Sequence, residues 1–447
     1  MEYIENRTFE EIEVGESASL TRALTADDLQ LVASVSGDVD PAHVELWGAT
    51  LLSTLLTTKL PGPGAIHLSQ QLFFRRPIAL GDRITASVTA TAKDAATRRV
   101  SFDCRCVNGA GELVVDGRAE MIAGCEKVRR SRPGSLGTVS LGDQAVRHRA
   151  VLELAQGLTP LRTAVVHPVD RSSLLGAVEA GRAGLIIPLL VGPEAKIRAV
   201  AQAEGVDLDP YRLVSTRHSH EAAERAVAMA RAGEVDALMK GSLHTDELMH
   251  EVVAKDTGLR TARRITHVFV MDVPTCPRTL FITDAAINIA PDLATKRDIV
   301  QNAIDLAHVL GIAIPKVAIL SAVETPTPEI RSTIDAAALC KMAERKLITG
   351  GLLDGPLAFD NAISEEAAKI KGIDSVVAGR ADILVVPDLE SGNMLAKQLE
   401  YLGGAQPAGI VLGARVPIVL TSRADGPATR KASCAVALVF ARRGPKY

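Results

Sequence analysis

The stretch Thr421-Ser422-Arg423-Ala424-Asp425 sets hydroxyls, a guanidinium and a carboxylate at the end of an apolar run. Ser422 offers a hydroxyl, and Arg423 offers a fork of donors that suits phosphate. Asp425 can take a proton or hold the arginine. A second cluster is Lys240-Gly-Ser-Leu-His-Thr245. Gly241 lets a ligand approach the backbone, and Lys240 adds a positive charge. Ser242 or Thr245 can cap a following helix whose open N–H groups attract anions, with His244 alongside. Arg260, Arg263 and Arg264 fall within five residues. They suit a phosphate, or the phosphates of a nucleotide-like tail, and equally a solvated face. Thr283-Asp284 and Asn288 form a further polar cluster, which can fix its own loop, cap a helix or contact ligand. Asp354-Gly-Pro-Leu-Ala-Phe-Asp360 is another such turn. Near the start, Asp38 and His43 stand five apart with Pro41 between them, on a turn rather than a helix face. Such a pair can activate water, or can be an ordinary Asx-type turn with an exposed histidine.

Two different textures position these residues. Before residue 126, apolar and polar residues alternate, as in Ile84, Ala86, Val88 and Ala90, and again in Val100, Phe102, Cys104 and Cys106. That alternation predicts half-buried antiparallel strands, with both cysteines in the core. One apolar run, Leu46 to Leu60, interrupts it and stops at Pro61-Gly-Pro-Gly64. It predicts a buried helix wrapped by the sheet. Residues 126–144 are rich in Arg, Pro, Gly and Ser and read as a linker. After it, apolar runs ending in polar clusters alternate with helical stretches, the pattern of a largely parallel α/β sheet. Thr163 to Asp170, Leu185 to Gly192 and Val235 to Thr245 are examples. In such sheets ligands gather at the carboxyl ends of the strands. The expected domains are therefore 1–125, a linker over 126–144, and 145–447.

Length and composition narrow the class. With 447 residues the chain exceeds one core. Its hydrophobic content of 47% and charged content of 23% are those of a globular protein. A net charge of −3 and 3% aromatic residues imply neither a nucleic-acid face nor base-stacking platforms. None of the six cysteines has CxxC spacing, so neither a zinc site nor a redox dithiol is signalled. No signal peptide and no membrane span is read, which makes the cytoplasm the expected compartment.

On the Lys240–Thr245 turn, Phe281 to Pro291, Asp354 to Asp360 and the Ser422-Arg423 pair, residues 150–441 resemble the phosphate acetyl/butyryltransferase family. The resemblance implies two α/β subdomains with the active site in the cleft between them, and a homo-oligomer of two or more copies. It implies reversible acyl transfer between coenzyme A and inorganic phosphate, both as substrates, with no tightly bound cofactor. Ser422 would then meet the thiol or thioester and Arg423 the phosphate, with an arginine of 260–264 as a second clamp. The family's acidic base lies further along the helix, where residues 426–430 carry no carboxylate. Asp425 is the nearest candidate and Asp284 the alternative.

Residues 8–124 are similar to the MaoC-like hot-dog hydratases. The similarity rests on Gly37-Asp38 with Pro41 and His43, on Leu60 to Gly64, on Leu68-Ser-Gln70, and on Arg76-Pro-Ile with Gly81-Asp82. It implies an α+β domain, an antiparallel sheet around a central helix, in which Asp38 and His43 add water to a trans-2-enoyl-CoA. Two departures matter. Asp40 stands where the family has Asn, and the family's longer segment after the histidine, with its His-Gly oxyanion donor, is missing. An impaired hydratase is the expectation, since such a donor is worth orders of magnitude in rate.

Overall fold

The computed structural model describes residues 3–26, 28–29, 45–131, 146–422 and 425–446. The chain divides into two compact units, Met1–Asp143 and Gln144–Tyr447.

In the first unit the alternating segments become strands. They are β1 (Tyr3–Glu5), β2 (Ser17–Ala23), β3 (Ile66–Phe74), β4 (Arg83–Asp94), β5 (Arg99–Val107), β6 (Leu113–Ile122) and β7 (Arg129–Ser131), with helix α1 (Glu45–Thr58) between β2 and β3. Five strands form an antiparallel sheet in the order β2-β4-β5-β6-β3. Ile84, Ala86 and Val88 of β4 and Val100, Phe102, Cys104 and Cys106 of β5 are completely buried, against Leu52, Leu55 and Leu56 of α1. The period of two in the sequence is thus the buried face of the sheet, and α1 fills its concavity. Arg129–Ser131, inside the stretch read as linker, pair as β7 with Tyr3–Glu5. Composition hid this, because two of the three residues are arginines.

The second unit contains one sheet of eleven strands. Its first strands and helices are α2 (Val146–Ala155), β8 (Leu161–Val166), α3 (Arg171–Arg182), β9 (Ile186–Gly192), α4 (Glu194–Ala203), β10 (Arg212–Ser215), α5 (Ser219–Arg231), β11 (Ala237–Lys240) and α6 (Thr245–Val252). Then come β12 (Thr266–Asp272), β13 (Leu280–Thr283), α7 (Leu293–Val309), β14 (Lys316–Leu320), α8 (Arg331–Glu344), β15 (Leu352–Leu357), α9 (Phe359–Ile363) and α10 (Glu365–Ile370). The last are β16 (Ile383–Val385), α11 (Leu389–Tyr401), β17 (Gln406–Leu412), β18 (Ile418–Val419) and α12 (Pro427–Arg443).

The strand order is β10-β9-β8-β11-β18-β17-β12-β13-β16-β14-β15. The first five strands are parallel to one another. So are the last four. Between them β17 and β12 are antiparallel to each other and to the strands that flank them. The two parallel blocks consequently run in opposite senses, and their carboxyl ends lie on opposite rims of one sheet. One face carries a single apolar layer across both blocks, built with α2, α3, α4, α7, α8 and α12. On the other face the layer is split. One part packs α5 and α6 on the first block, and the other packs α9, α10 and α11 on the second. The break falls over β17 and β12, where Gly409 and His267 stand. The two subdomains meet there, and both residues are buried.

Candidate active site

Three strand ends meet on the rim of the first block. Gly241 N–H donates to Val166 O at 2.9 Å and Ser242 N–H to His167 O at 2.8 Å, so the turn after β11 is sewn to the end of β8. A Cβ on Gly241 would lie 2.4 Å from Val166 O, so only glycine fits there. His167 has a φ of 58°, a conformation that costs a non-glycine residue energy. Its ring Nδ1 lies 2.8 Å from Ser242 O. Asp170 caps α3 through Ser173 N–H at 2.8 Å and accepts from Ser172 Oγ at 3.0 Å. Partial burial pushes its carboxyl up, but the hydrogen bonds from Ser173 N–H, Ser242 and Ser172 hold it below the usual range. Lys240 is buried at the same rim, with 4% of its surface exposed. The helix cap after this turn is neither Ser242 nor Thr245. It is His244, whose N–H donates to Glu247 Oε1 at 3.2 Å, while Thr245 begins α6.

The third strand end is the loop after β18. Ser422 N–H donates to Asp425 Oδ2 at 2.6 Å, and Asp425 N–H donates back to Ser422 O at 3.2 Å. Desolvation raises the Asp425 carboxyl above the usual aspartate range, Glu400 adds to the rise, and Ser422 N–H, Lys397 and Arg430 oppose it. Arg430, in the first turns of α12, ties this loop to its neighbours. It donates to Thr421 Oγ1 at 2.7 Å, Ser422 O at 3.0 Å, Asp425 O at 3.3 Å and Lys240 O at 3.4 Å. Only 1% of Arg430 is exposed. Its stem passes over α3 at Gly176, where a Cβ would lie 2.4 Å from Arg430 Cδ. The sequence reading passed over Arg430. The signal for it is an arginine just ahead of the run of small and apolar residues in α12, answered by a glycine in α3. His167 and Asp170 were likewise read as part of a strand end and not as site residues.

Asp284 is not brought to this rim. Thr283 pairs with Val268, Val268 with Ile410 and Ile410 with Val419. Thr283 and Val419 are thus three strands apart, about 14 Å, and the chain leaves that row in opposite directions. The Asp284 carboxylate is fully engaged. It accepts from Ala286 N–H and Ile287 N–H at 3.0 Å, Asn288 Nδ2 at 2.6 Å and His267 N–H at 3.2 Å. Burial pushes this carboxyl up, against those hydrogen bonds. Asn288 also donates to Ile265 O at 3.0 Å. Of the roles open to Asp284 and Asn288, the geometry is that of fixing the loop.

Arg260, Arg263 and Arg264 also lie away from Ser422, at the other end of β18. Arg260 bridges to Ala414, and Thr261 Oγ1 donates to Gly413 O at 2.6 Å. Arg263 faces Asp305 at 3.6 Å. Arg264 N–H donates to Asp298 Oδ2 at 3.0 Å. A second phosphate clamp beside Ser422 is therefore not supplied by these three. Arg423, Asp38 and His43 lie outside the described residues. His267 in β12 is a further residue that the sequence does not single out, a lone histidine in an apolar strand. It is wholly buried, its two ring nitrogens have no hydrogen-bond partner, and Phe269 stands edge-on at 4.4 Å. Desolvation brings it down to about 3, so the ring is neutral. Among the described residues no group of three or more His, Cys, Asp or Glu is placed to hold a metal, and no helix is long and apolar enough to cross a membrane.

Comparison with known proteins bears on this rim. A family model described as Phosphate acetyl/butaryl transferase matches residues 214–437. The phosphate acetyltransferase of Rhizobium meliloti is 65% identical over 300 residues, 67% of this chain and 95% of that protein. The phosphate butyryltransferase of Clostridium acetobutylicum is 40% identical over 280 residues, 63% of this chain and 93% of that protein. The crystal structure of a branched-chain phosphotransacylase from Enterococcus faecalis V583 superposes with a TM-score of 0.55 at 29% identity, covering 64% of this chain and 100% of that one.

Proposed function

The chain belongs to the phosphate acetyl/butyryl transferase family, and from that premise we propose that it moves an acetyl group reversibly between coenzyme A and inorganic phosphate. The observation that carries this reading is the rim on which Lys240, the Gly241–Ser242 turn and the Ser422–Asp425 loop converge under Arg430. Acetyl is preferred to butyryl because the acetyltransferase relative is the more similar of the two.

In the proposed reaction Asp425 accepts the proton of the coenzyme A thiol. Its raised carboxyl is a better match to a thiol than an ordinary aspartate is. The thiolate attacks the acyl carbon of the acyl phosphate, the C–S bond forms, and the bond from carbon to the phosphate oxygen breaks. Phosphate leaves with its electron pair. Binding both substrates side by side requires no covalent enzyme intermediate. Ser422 touches the thioester region. Lys240 and Arg423 meet the phosphate charge, which is where preorganised cations accelerate acyl transfer. Helix α6 opens toward the same place behind Ser242, His244 and Thr245. The six cysteines are unpaired, which supports a reducing compartment and the cytoplasm. A homo-oligomer is carried over from the resemblance.

Arg423→Ala is expected to lower phosphate-dependent release of coenzyme A from acetyl-CoA by about 100-fold or more, the scale of one lost oxyanion contact, with the fold retained. Activity unchanged in Arg423→Ala would remove that residue from the centre. Across straight-chain substrates of two to five carbons, kcat/KM should be highest for acetyl.

For the first unit we propose an enoyl-CoA hydratase relative with impaired catalysis, on the motif departures alone. The full-length protein should hydrate crotonyl-CoA no more than marginally, followed by loss of enoyl absorbance. Efficient turnover that Asp38→Asn abolishes would show the domain to be active and the chain bifunctional.

A further inference from the structure

The loop after β8 grips one residue of the neighbouring turn at three points. Ser242 N–H donates to His167 O, and His167 Nδ1 lies 2.8 Å from Ser242 O. A carbonyl oxygen only accepts, so Nδ1 carries the proton, and the neutral ring keeps its lone pair on Nε2. Three residues on, the Asp170 carboxylate takes the Ser242 hydroxyl. The N–H, the carbonyl and the hydroxyl of Ser242 are thus all tied to the stretch His167-Pro168-Val169-Asp170.

Histidine is a costly choice at position 167. Its φ of 58° lies in the left-handed region, which glycine enters freely and asparagine tolerates. Pro168 narrows the backbone of the residue before it still further. The backbone is held there from the other side as well, because His167 N–H donates to Val191 O at 2.7 Å. A glycine would offer Ser242 the same backbone oxygen without strain. What it would lack is the ring N–H. The strained backbone is therefore kept for the sake of the imidazole, as such outliers at functional rims commonly are. The ring is buried, and its Nε2 makes no hydrogen bond to the described residues.

The grip matters for what lies just before Ser242. Arg430 holds Lys240 O at 3.4 Å, and His167 holds the Ser242 peptide. Between them they bracket Lys240 and Gly241, where the chain leaves β11 and turns into α6. We propose that His167 is a positioning residue for the phosphate side of the transfer, acting through Nδ1 on the Ser242 peptide to hold the Lys240 turn where inorganic phosphate binds. This rests on the transferase reading for what Lys240 meets, and on the three-point grip for how the turn is held.

The test uses four variants of the full-length protein, assayed for phosphate-dependent release of coenzyme A from acetyl-CoA and for the reverse reaction. His167→Asn sets an amide N–H about where Nδ1 stands and tolerates the backbone. His167→Gln reaches about as far as Nε2 instead. His167→Ala removes the ring, and His167→Gly removes it while relaxing the backbone. The alanine and glycine variants should lose about 10- to 100-fold in kcat/KM for inorganic phosphate, the scale of a buried acceptor left without its donor. KM for coenzyme A should change little. His167→Asn should recover most of the loss and His167→Gln little of it. His167→Gly should melt above His167→Ala yet be no more active, a split that a packing role does not produce. Activity that simply follows Tm across the four overturns the proposal, as does a loss that falls on KM for coenzyme A. Recovery by glutamine and not by asparagine also overturns it, since Nε2 would then touch substrate. If His167→Ala does not fold, the asparagine and glutamine variants still decide between the two nitrogens. Wild type without phosphate-dependent turnover sinks the transferase reading and this proposal with it. Wild-type turnover that all four variants leave intact sinks this proposal alone.

Discussion

Asp425→Asn should reduce acyl transfer to coenzyme A by about 10²- to 10⁴-fold in kcat, the usual contribution of a positioned base. The side chain keeps its size and its oxygen for Ser422 N–H, so the loop should hold and KM for both substrates should change little. Wild type should show an acidic limb in the direction that consumes acetyl phosphate. Desolvation favours the neutral carboxyl, so the limb should lie above the ordinary aspartate range. The sign follows from the role. The base works when deprotonated, and activity falls as pH drops through the raised value. Asp425→Asn should lose that limb. A variant that retains it would place the base elsewhere. Asp284 is a poor second candidate, because four donors already fill its oxygens.

Gly176→Ala should damage the same site from behind. The added methyl would sit 2.4 Å from Arg430 Cδ and 3.0 Å from Arg430 Cβ, inside a packed core. Overpacking of this kind costs about 1–3 kcal/mol, and should lower Tm by several degrees. The larger effect should be on kcat, because Arg430 is what holds Thr421, Ser422, Asp425 and Lys240 in register. Arg430→Ala should take a donor from those four oxygens, of which Ser422 O keeps its bond from Asp425 N–H, and lower stability by about 3 kcal/mol or more, at 1–3 kcal/mol for each buried group left unsatisfied. The two substitutions act on one contact. In the Arg430→Ala background Gly176→Ala should therefore cost much less than in wild type, as residues in contact are not additive. Additive losses of stability and rate would mean that Arg430 does not act through this packing.

Some of the site could be read from residues in order along the chain. The turns after β11 and β18 announced themselves because an apolar run broke into Lys, Ser, Arg or Asp. The buried faces of β4 and β5 were legible from alternation alone. What could not be read was which rim each turn would reach. Asp284 and Asp425 both end apolar runs, but β13 pairs antiparallel with β12, and that reverses the whole second block. Strand order is a property of long-range pairing, and no local pattern carries it. Arg430 was invisible for a different reason. An arginine in a helix is ordinarily a surface residue, and its burial depends on a glycine some 250 positions earlier in the chain. His267 was hidden by an apolar strand that reads as core throughout.

The central claim is that phosphate, and not water, receives the acyl group. The full-length protein should be mixed with acetyl-CoA, and free thiol and acetyl phosphate followed together with and without inorganic phosphate. Thiol should appear only when phosphate is present, in equal amount with acetyl phosphate, and the reaction should run backwards from acetyl phosphate and coenzyme A. Thiol release that is absent in phosphate, or that proceeds equally without it, would contradict the account.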